Sequence, residues 1–228
     1  MQSNDKYSPR KIIRGREVPN TMLINIRQQL SSHTPRRLDV EAPEAAVLIA
    51  LTRHERDPEI VFTRRCGHLN THGGEVAFPG GKRDPEDKSL LQTALRESHE
   101  EIGLPTSQVD FLGTTGDVIS RFGIKVTPYV GVIDPDVELV ANPHELDRIF
   151  RVPVSFFLES GSVRTDKLSY RHMTFHVPAW QFGEYQIWGL TAIMLVEFLN
   201  ISLGANIPLD VPQTRGDQVE NGLWCRQA

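Results

Sequence analysis

Residues 80–104, GGKRDPEDKSLLQTALRESHEEIGL, constrain this chain more than any other stretch. A glycine pair opens it and a polar loop follows. Apolar residues then recur at helical spacing until Gly103 and Pro105 stop them. The pattern predicts a helix from about Ser89 to Ile102, begun by a capping box in which Ser89 pairs with Gln92, with Asp87 as an alternative cap. Leu91, Ala94, Leu95, Ser98 and Ile102 form one stripe, the expected core face. Glu97, Glu100 and Glu101 stand at i, i+3 and i+4 on the flank away from it, in the final turn. There they meet the negative end of the helix dipole and each other, at roughly 0.2–1 kcal/mol per conflict.

Three explanations compete. The glutamates form a solvated face, they are neutralised by basic partners, or they hold a cation. Only Arg96 lies within helical reach as a partner, in the weaker orientation toward Glu100. Clustered carboxylates are hard ligands suited to Mg²⁺ or Mn²⁺, and a bound ion turns their repulsion into coordination. Mg²⁺ takes one or two carboxylates together with substrate phosphates. The glycine-rich run HGGEVAFPGG just upstream lets backbone approach a phosphate closely. Together these signals point to metal-dependent phosphate chemistry.

The rest of the chain fits a single domain with extensions, here divided into residues 1–42, 43–205 and 206–228. AAVLIALT and EIVFTRR read as buried strands separated by the polar turn RHERDP. VDFLGTT, IKVTPYVGVI and MTFHVPAW read as further strands, with a short helix expected near residues 143–149. LTAIMLVEFLNISL reads as a helix ended by Gly204, and TMLINIRQQL as an amphipathic helix capped by Asn20. Strands mixed with substantial helices imply a layered α/β domain. The tail from Asn206 reads as irregular, and the basic beginning (Lys6, Arg10, Lys11, Arg14, Arg16) as a solvated tail. A net charge of −4 gives no footprint for nucleic acid, and the longest apolar run is too short for a membrane. Two cysteines and no apolar leader make the cytoplasm the expected location.

Residues 80–104 resemble the signature of the Nudix hydrolases, G-x5-E-x7-R-E-U-x-E-E-x-G-U with U a bulky apolar residue. Arg96, Glu97, Glu100, Glu101, Gly103 and Leu104 occupy motif positions, while Ser98 replaces the apolar U. Counting back from Arg96 puts Lys88 and Lys82 at the Glu and Gly positions. Counting forward from Gly81 puts Asp87 at the Glu position, so the loop is one residue longer than the pattern. Upstream, VFTRRCGHLNTHGGEVAFPGG is similar to the subgroup resembling coenzyme A pyrophosphatases, through Thr63, Arg65, Gly74, Phe78, Pro79, Gly80 and Gly81. Cys66 stands for a small Ser or Ala, and Asn70 replaces a second arginine, which an amide does not match as a phosphate grip. YQIWGLTAIML is similar to a late strand-to-helix junction of that subgroup, and the resemblance spans residues 44–203.

The resemblance implies an α/β/α sandwich with a mixed sheet, which hydrolyses a pyrophosphate bond in a nucleoside diphosphate derivative. Glu97 and Glu101 are then metal ligands, and Glu100 is a third ligand or a base. Arg96 orients a glutamate, Arg65 contacts substrate phosphate, and Gly80 and Gly81 present backbone to the pyrophosphate. Coenzyme A or its thioesters would be the substrate; ADP-ribose, a nucleotide sugar, or a nucleotide-sensing role without cleavage are the alternatives. A homodimer acting on a small nucleotide, with no nucleic-acid or membrane partner, completes the expectation. His68 and His72 have zinc-helix spacing but run into glycines without a third soft ligand, and read as loop histidines. His99 is expected exposed, Cys66 packed, Glu75 either facing substrate or solvated, Phe78 and Pro79 shaping the loop, and Trp188 in the core.

Overall fold

The strand EAAVLIALT carries apolar side chains at odd and even positions alike, so it needs cover on both faces. A computed structural model describes residues 21–54, 56–67, 74–159, 161, 163–170 and 173–209, and it places this strand at the centre of the molecule. Elements run α1 (Thr21–Ser32), β1 (Glu44–Thr52), β2 (Glu59–Arg65), β3 (Val76–Ala77), β4 (Gly80–Lys82), α2 (Leu90–Ile102), β5 (Asp110–Thr114) and β6 (Val118–Ile119). They continue through β7 (Lys125–Ile133), β8 (Leu146–Pro153), α3 (Val154–Leu158), β9 (Arg164–Tyr170), β10 (Met173–Phe182), β11 (Tyr185–Ile187) and α4 (Gly189–Leu203). Parallel β1–β7 pairing beside antiparallel neighbours makes the sheet mixed.

Alternation along β1 sorts its side chains between two cores. Ala46, Leu48 and Ala50 meet Ala94 and Ile102 of α2, while Ala45, Ile49 and Leu51 lie in the larger core with α1 and α4. The result is the expected α/β/α sandwich. Leu23, Ile26 and Leu30 of α1 are buried in that larger core, so the described part of the N-terminal extension packs onto the domain. Arg37 and the Leu38 N–H bind the buried Asp117 at 2.8 and 3.0 Å and fasten the following segment. The helix α4 is apolar on nearly every side and is buried accordingly. No helix among the described residues is long and apolar enough to cross a membrane.

Two sequence expectations are corrected here. Residues 143–149 form a turn and the start of β8 instead of a short helix, because β2 offers β8 a full antiparallel edge, from Glu59 opposite Pro153 to Arg65 opposite Leu146. Trp188 is 39% exposed at the start of α4; Trp180 is the fully buried indole, edge-on to Phe157 at 5.5 Å. Of the β9–β10–β11 sheet, the sequence indicates β10 and, through the strand-to-helix junction at YQIWGLTAIML, β11 leading into α4; β9 has no counterpart in the sequence reading.

One topological detail positions the site. β2 pairs with β1 only at Leu51–Ile60, and β4 takes the other half of the same edge, with Val47 opposite Gly80 and Ala46 opposite Gly81. Arg65 at the end of β2 and the glycines of β4 therefore face one another across the divergence.

Candidate active site

The helix α2 begins as its sequence specifies. Ser89 accepts the Gln92 N–H at 3.2 Å, and the Gln92 side chain accepts the Lys88 N–H at 2.9 Å. It ends at Gly103, whose φ of +67° suits a glycine, with the Gly103 N–H bonded to the His99 carbonyl. The next carbonyls are taken by a distant loop: Asn142 and Val140 donate to Glu101 and Ile102 at 2.8 and 2.9 Å. Part of the unfavourable negative end is thereby satisfied.

The inward face differs from the predicted stripe. Thr93, Ala94, Ser98, Glu101 and Ile102 are buried, whereas Leu91 and Leu95 are half-buried. Glu101 is thus not on an outer flank. Polar residues turn inward because partners wait there. Glu101 accepts the Gly80 N–H at 3.0 Å and Arg65 Nη1 at 3.3 Å. Burial pushes its carboxyl up to about 7, against the opposing pull of Gly80 and Arg65. Glu97 is also raised by burial, with Arg96 acting the other way and Glu100 and Glu145 adding repulsion. Glu100 remains exposed, as does His99.

Arg96 organises the group. Its Nε and Nη2 clasp Asp87 at 3.1 and 2.9 Å, Nη1 reaches Glu97 and Glu100 at 3.0 and 3.1 Å, and Nη2 also donates to the Lys82 carbonyl at 3.0 Å. The guanidinium fork uses donors that a lysine lacks. Asp87 does not cap α2. It is buried, accepts Thr93 Oγ1 at 2.9 Å and the Asp84 N–H at 3.0 Å, and is held well below the usual carboxylate range, chiefly by Arg96.

The glycines are needed by contact. A Cβ on Gly81 would lie 2.3 Å from the Glu97 carboxyl carbon, and one on Gly80 2.3 Å from the Ala46 carbonyl oxygen. Gly80 also has a φ of +154°. Phe78 anchors the loop by stacking on Phe62 at 5.0 Å, and the Pro79 carbonyl accepts the Leu48 N–H at 2.8 Å. We expect Gly81→Ala to displace only the flexible Glu97 side chain, lowering kcat/KM about a hundredfold with little change in Tm. Gly80→Ala must shift backbone, so thermal melting should show a clear loss of stability, on the order of 1–3 kcal/mol.

Of two further members of the site, the sequence indicates one, Asp87, without its role and misses the other, Glu145. Asp87 was noticed only as a cap or a displaced motif position. Glu145, whose carbonyl accepts the Cys66 N–H at 2.8 Å, acts electrostatically on both Glu97 and Glu101. Cys66 itself is buried, its Sγ 3.6 Å from the Pro143 carbonyl, which agrees with a packing role. His68, Asn70 and His72 lie outside the described residues, as do the basic beginning, Asn20 and Cys225.

The donor set has the chemistry of a hard divalent-cation site: carboxylates whose pKa values are raised first by burial and then by neighbouring carboxylates, beside a glycine strand. Arg65 pairs with Glu101 and Arg96 with Glu97, and among the described residues no three acidic, histidine or cysteine side chains converge at ligand spacing. Mg²⁺ nevertheless fits, since it needs only one or two carboxylates and completes its shell with water and phosphate oxygens.

A glycine strand delivered against a glutamate-bearing helix, inside an α/β/α sandwich, is an arrangement suited to holding a divalent cation against phosphate oxygens. The NUDIX domain family model matches residues 42–172. The chain is 40% identical over 161 residues to the Nudix hydrolase NudL of Photorhabdus laumondii, covering 71% of this chain and 86% of that one. It is 36% identical over 169 residues to NudL of Yersinia enterocolitica, covering 74% and 86%. A MutT/nudix family protein from Enterococcus faecalis shares the fold with a TM-score of 0.50 at 15% identity, over 75% of this chain and 64% of that one. The chain belongs to the Nudix family. It is a hydrolase of pyrophosphate bonds, and such enzymes generally use a divalent metal such as Mg²⁺.

Proposed function

We propose that the substrate is coenzyme A or one of its thioesters, cleaved with Mg²⁺ or Mn²⁺ to an adenosine bisphosphate and phosphopantetheine. The observation that carries the site assignment is the mutual fit of strand and helix: Gly81 has room for nothing but the Glu97 carboxylate, and Gly80 donates to Glu101. The subgroup rests on the run from Thr63 and Arg65 to Gly80 and Gly81. Glu97 and Glu101 would hold the cation, with Glu100 as a third ligand or the base. When bound, the ion polarises a phosphoryl oxygen and lowers the pKa of water.

The remaining roles belong to the chain. Arg96 keeps Glu97 and Glu100 oriented from its Asp87 anchor. Arg65, beside Glu101, offers a guanidinium to a phosphate oxygen. Gly80 and Gly81 let backbone lie against the pyrophosphate. Water oxygen bonds to one phosphorus, the bridging P–O bond breaks, and the water protons leave with the two products. In this reading the enzyme is a cytoplasmic homodimer acting on a small nucleotide without nucleic-acid or membrane partners; light scattering reads the mass.

Asn70, where the subgroup has a second arginine, favours a second reading in which ADP-ribose or a nucleotide sugar is cleaved instead. A panel of coenzyme A, ADP-ribose and a nucleotide sugar with each metal separates them. We expect the highest kcat/KM for coenzyme A. Turnover of coenzyme A no faster than that of ADP-ribose would reject the subgroup assignment, and tight binding with no product over hours would make the site a sensor.

A further inference from the structure

Glycines and carboxylates that grip a pyrophosphate leave the nucleoside beyond it unheld, and an aromatic face beside them would hold its base by stacking. The turn between β6 and β7 has the right chemistry and place. It is tightly built: the Ser120 N–H donates to the Ile124 carbonyl and the Gly123 N–H to the Ser120 carbonyl, both at 2.9 Å. Ser120 Oγ accepts from the N–H groups of Phe122 and Ile124 at 3.3 and 3.1 Å, and Gly123 takes a φ of +74°.

This fixed turn carries Arg121 and Phe122 outward. The Phe122 ring is 51% exposed, with the Arg121 guanidinium carbon 4.8 Å from its centroid. Arg121 Nη2 lies 3.9 Å from Glu75 Oε1, and the Glu75 carbonyl accepts the N–H of Arg65, whose side chain meets Glu101. The turn therefore stands against the loop that leads into the glycine strand, on the side where Arg65 enters the site. An exposed aromatic face stacks a nucleobase regardless of its hydrogen-bonding edge, and an adjacent guanidinium suits a phosphate.

We propose that the Arg121–Phe122 turn is the nucleoside subsite: the Phe122 ring stacks the purine, and Arg121 pairs with the phosphate carried on the ribose. The second half of this assignment rests on the coenzyme A reading given above. Steady-state kinetics with coenzyme A and with dephospho-coenzyme A, which lacks the ribose phosphate, test it. Phe122→Ala should raise KM about tenfold for both compounds with kcat within about twofold, and Phe122→Tyr should restore it. Arg121→Ala should raise KM about tenfold for coenzyme A alone. Phe111→Ala, at another exposed aromatic on β5, serves as the control and should change neither constant.

Calorimetric titration of the metal-free protein with adenosine 3′,5′-bisphosphate reads the subsite without hydrolysis. Binding weakened about tenfold by Phe122→Ala supports it. A protein that binds this probe through Phe122 yet cleaves no coenzyme A keeps the subsite and overturns the substrate reading. No binding of the probe by the unaltered protein, or unchanged KM and Kd in Phe122→Ala, overturns the subsite whatever the substrate proves to be.

Discussion

Glu101→Gln is expected to lower kcat/KM by about three orders of magnitude, the several kcal/mol that charge stabilisation at a metal centre supplies. Gln keeps the shape and can still accept the Gly80 N–H, so the variant loses the charge and the oxygen that accepts from Arg65. The fold should gain rather than suffer. Burial holds the Glu101 carboxyl at about 7, well above the ordinary glutamate value near 4.3. A group raised in this way favours the native state below its unfolded pKa, and that contribution is lost as pH rises through 7. In chelator at pH 8 the wild-type protein carries a costly buried charge that the variant lacks. We therefore expect the metal-free variant to melt a few degrees higher there, and equal to wild type or lower near pH 4. Retained activity would remove Glu101 from the proposed ligand set; a lower Tm at pH 8 would mean that the Arg65 ion pair outweighs desolvation.

Asp87→Asn carries the second large effect, through Arg96. The neutral amide cannot receive both nitrogens of the guanidinium as a carboxylate does. Breaking this largely buried pair should cost about 2 kcal/mol, or roughly 4–8 °C in Tm. Loosening Arg96 also frees Glu97 and Glu100, so kcat/KM should fall between about tenfold and a hundredfold. The Asp87 carboxyl is held below its ordinary value, so its stabilisation is complete above about pH 5 and fades as pH falls through the ordinary carboxylate range. Urea midpoints of the two proteins should converge on acidification. Equal stability at pH 7 would show that Arg96 finds its support elsewhere, for example at the Lys82 carbonyl.

The parts of the site written locally were readable in the sequence. Ser89 and Gln92 mark the helix start within four residues, and Arg96, Glu97, Glu100 and Glu101 follow at fixed helical offsets. β1 and β2 were legible because their apolar runs are continuous. What failed depended on tertiary partners. Glu101 turns inward because Gly80 and Arg65 meet it there, and neither contact leaves a periodic trace. Asp87 had two readings in sequence, and its buried place follows only once Arg96 and Thr93 fold back upon it. The strand β8 exists because β2 supplies an edge, which no propensity around residues 143–149 announces. Trp188 was misplaced because an indole at a strand end has no pattern around it to say which side is wet.

The loop that donates Val140 and Asn142 to the last carbonyls of α2 also brings Glu145 beside the acidic residues. Helix end and loop are thereby coupled mechanically, although the span looks like an ordinary surface connection. Lengthening or shortening residues 141–144 would tilt a carboxylate and release a helix terminus in one stroke. In this molecule, variation there is a lever on the reaction, whereas variation at a solvent-facing turn elsewhere would merely be tolerated.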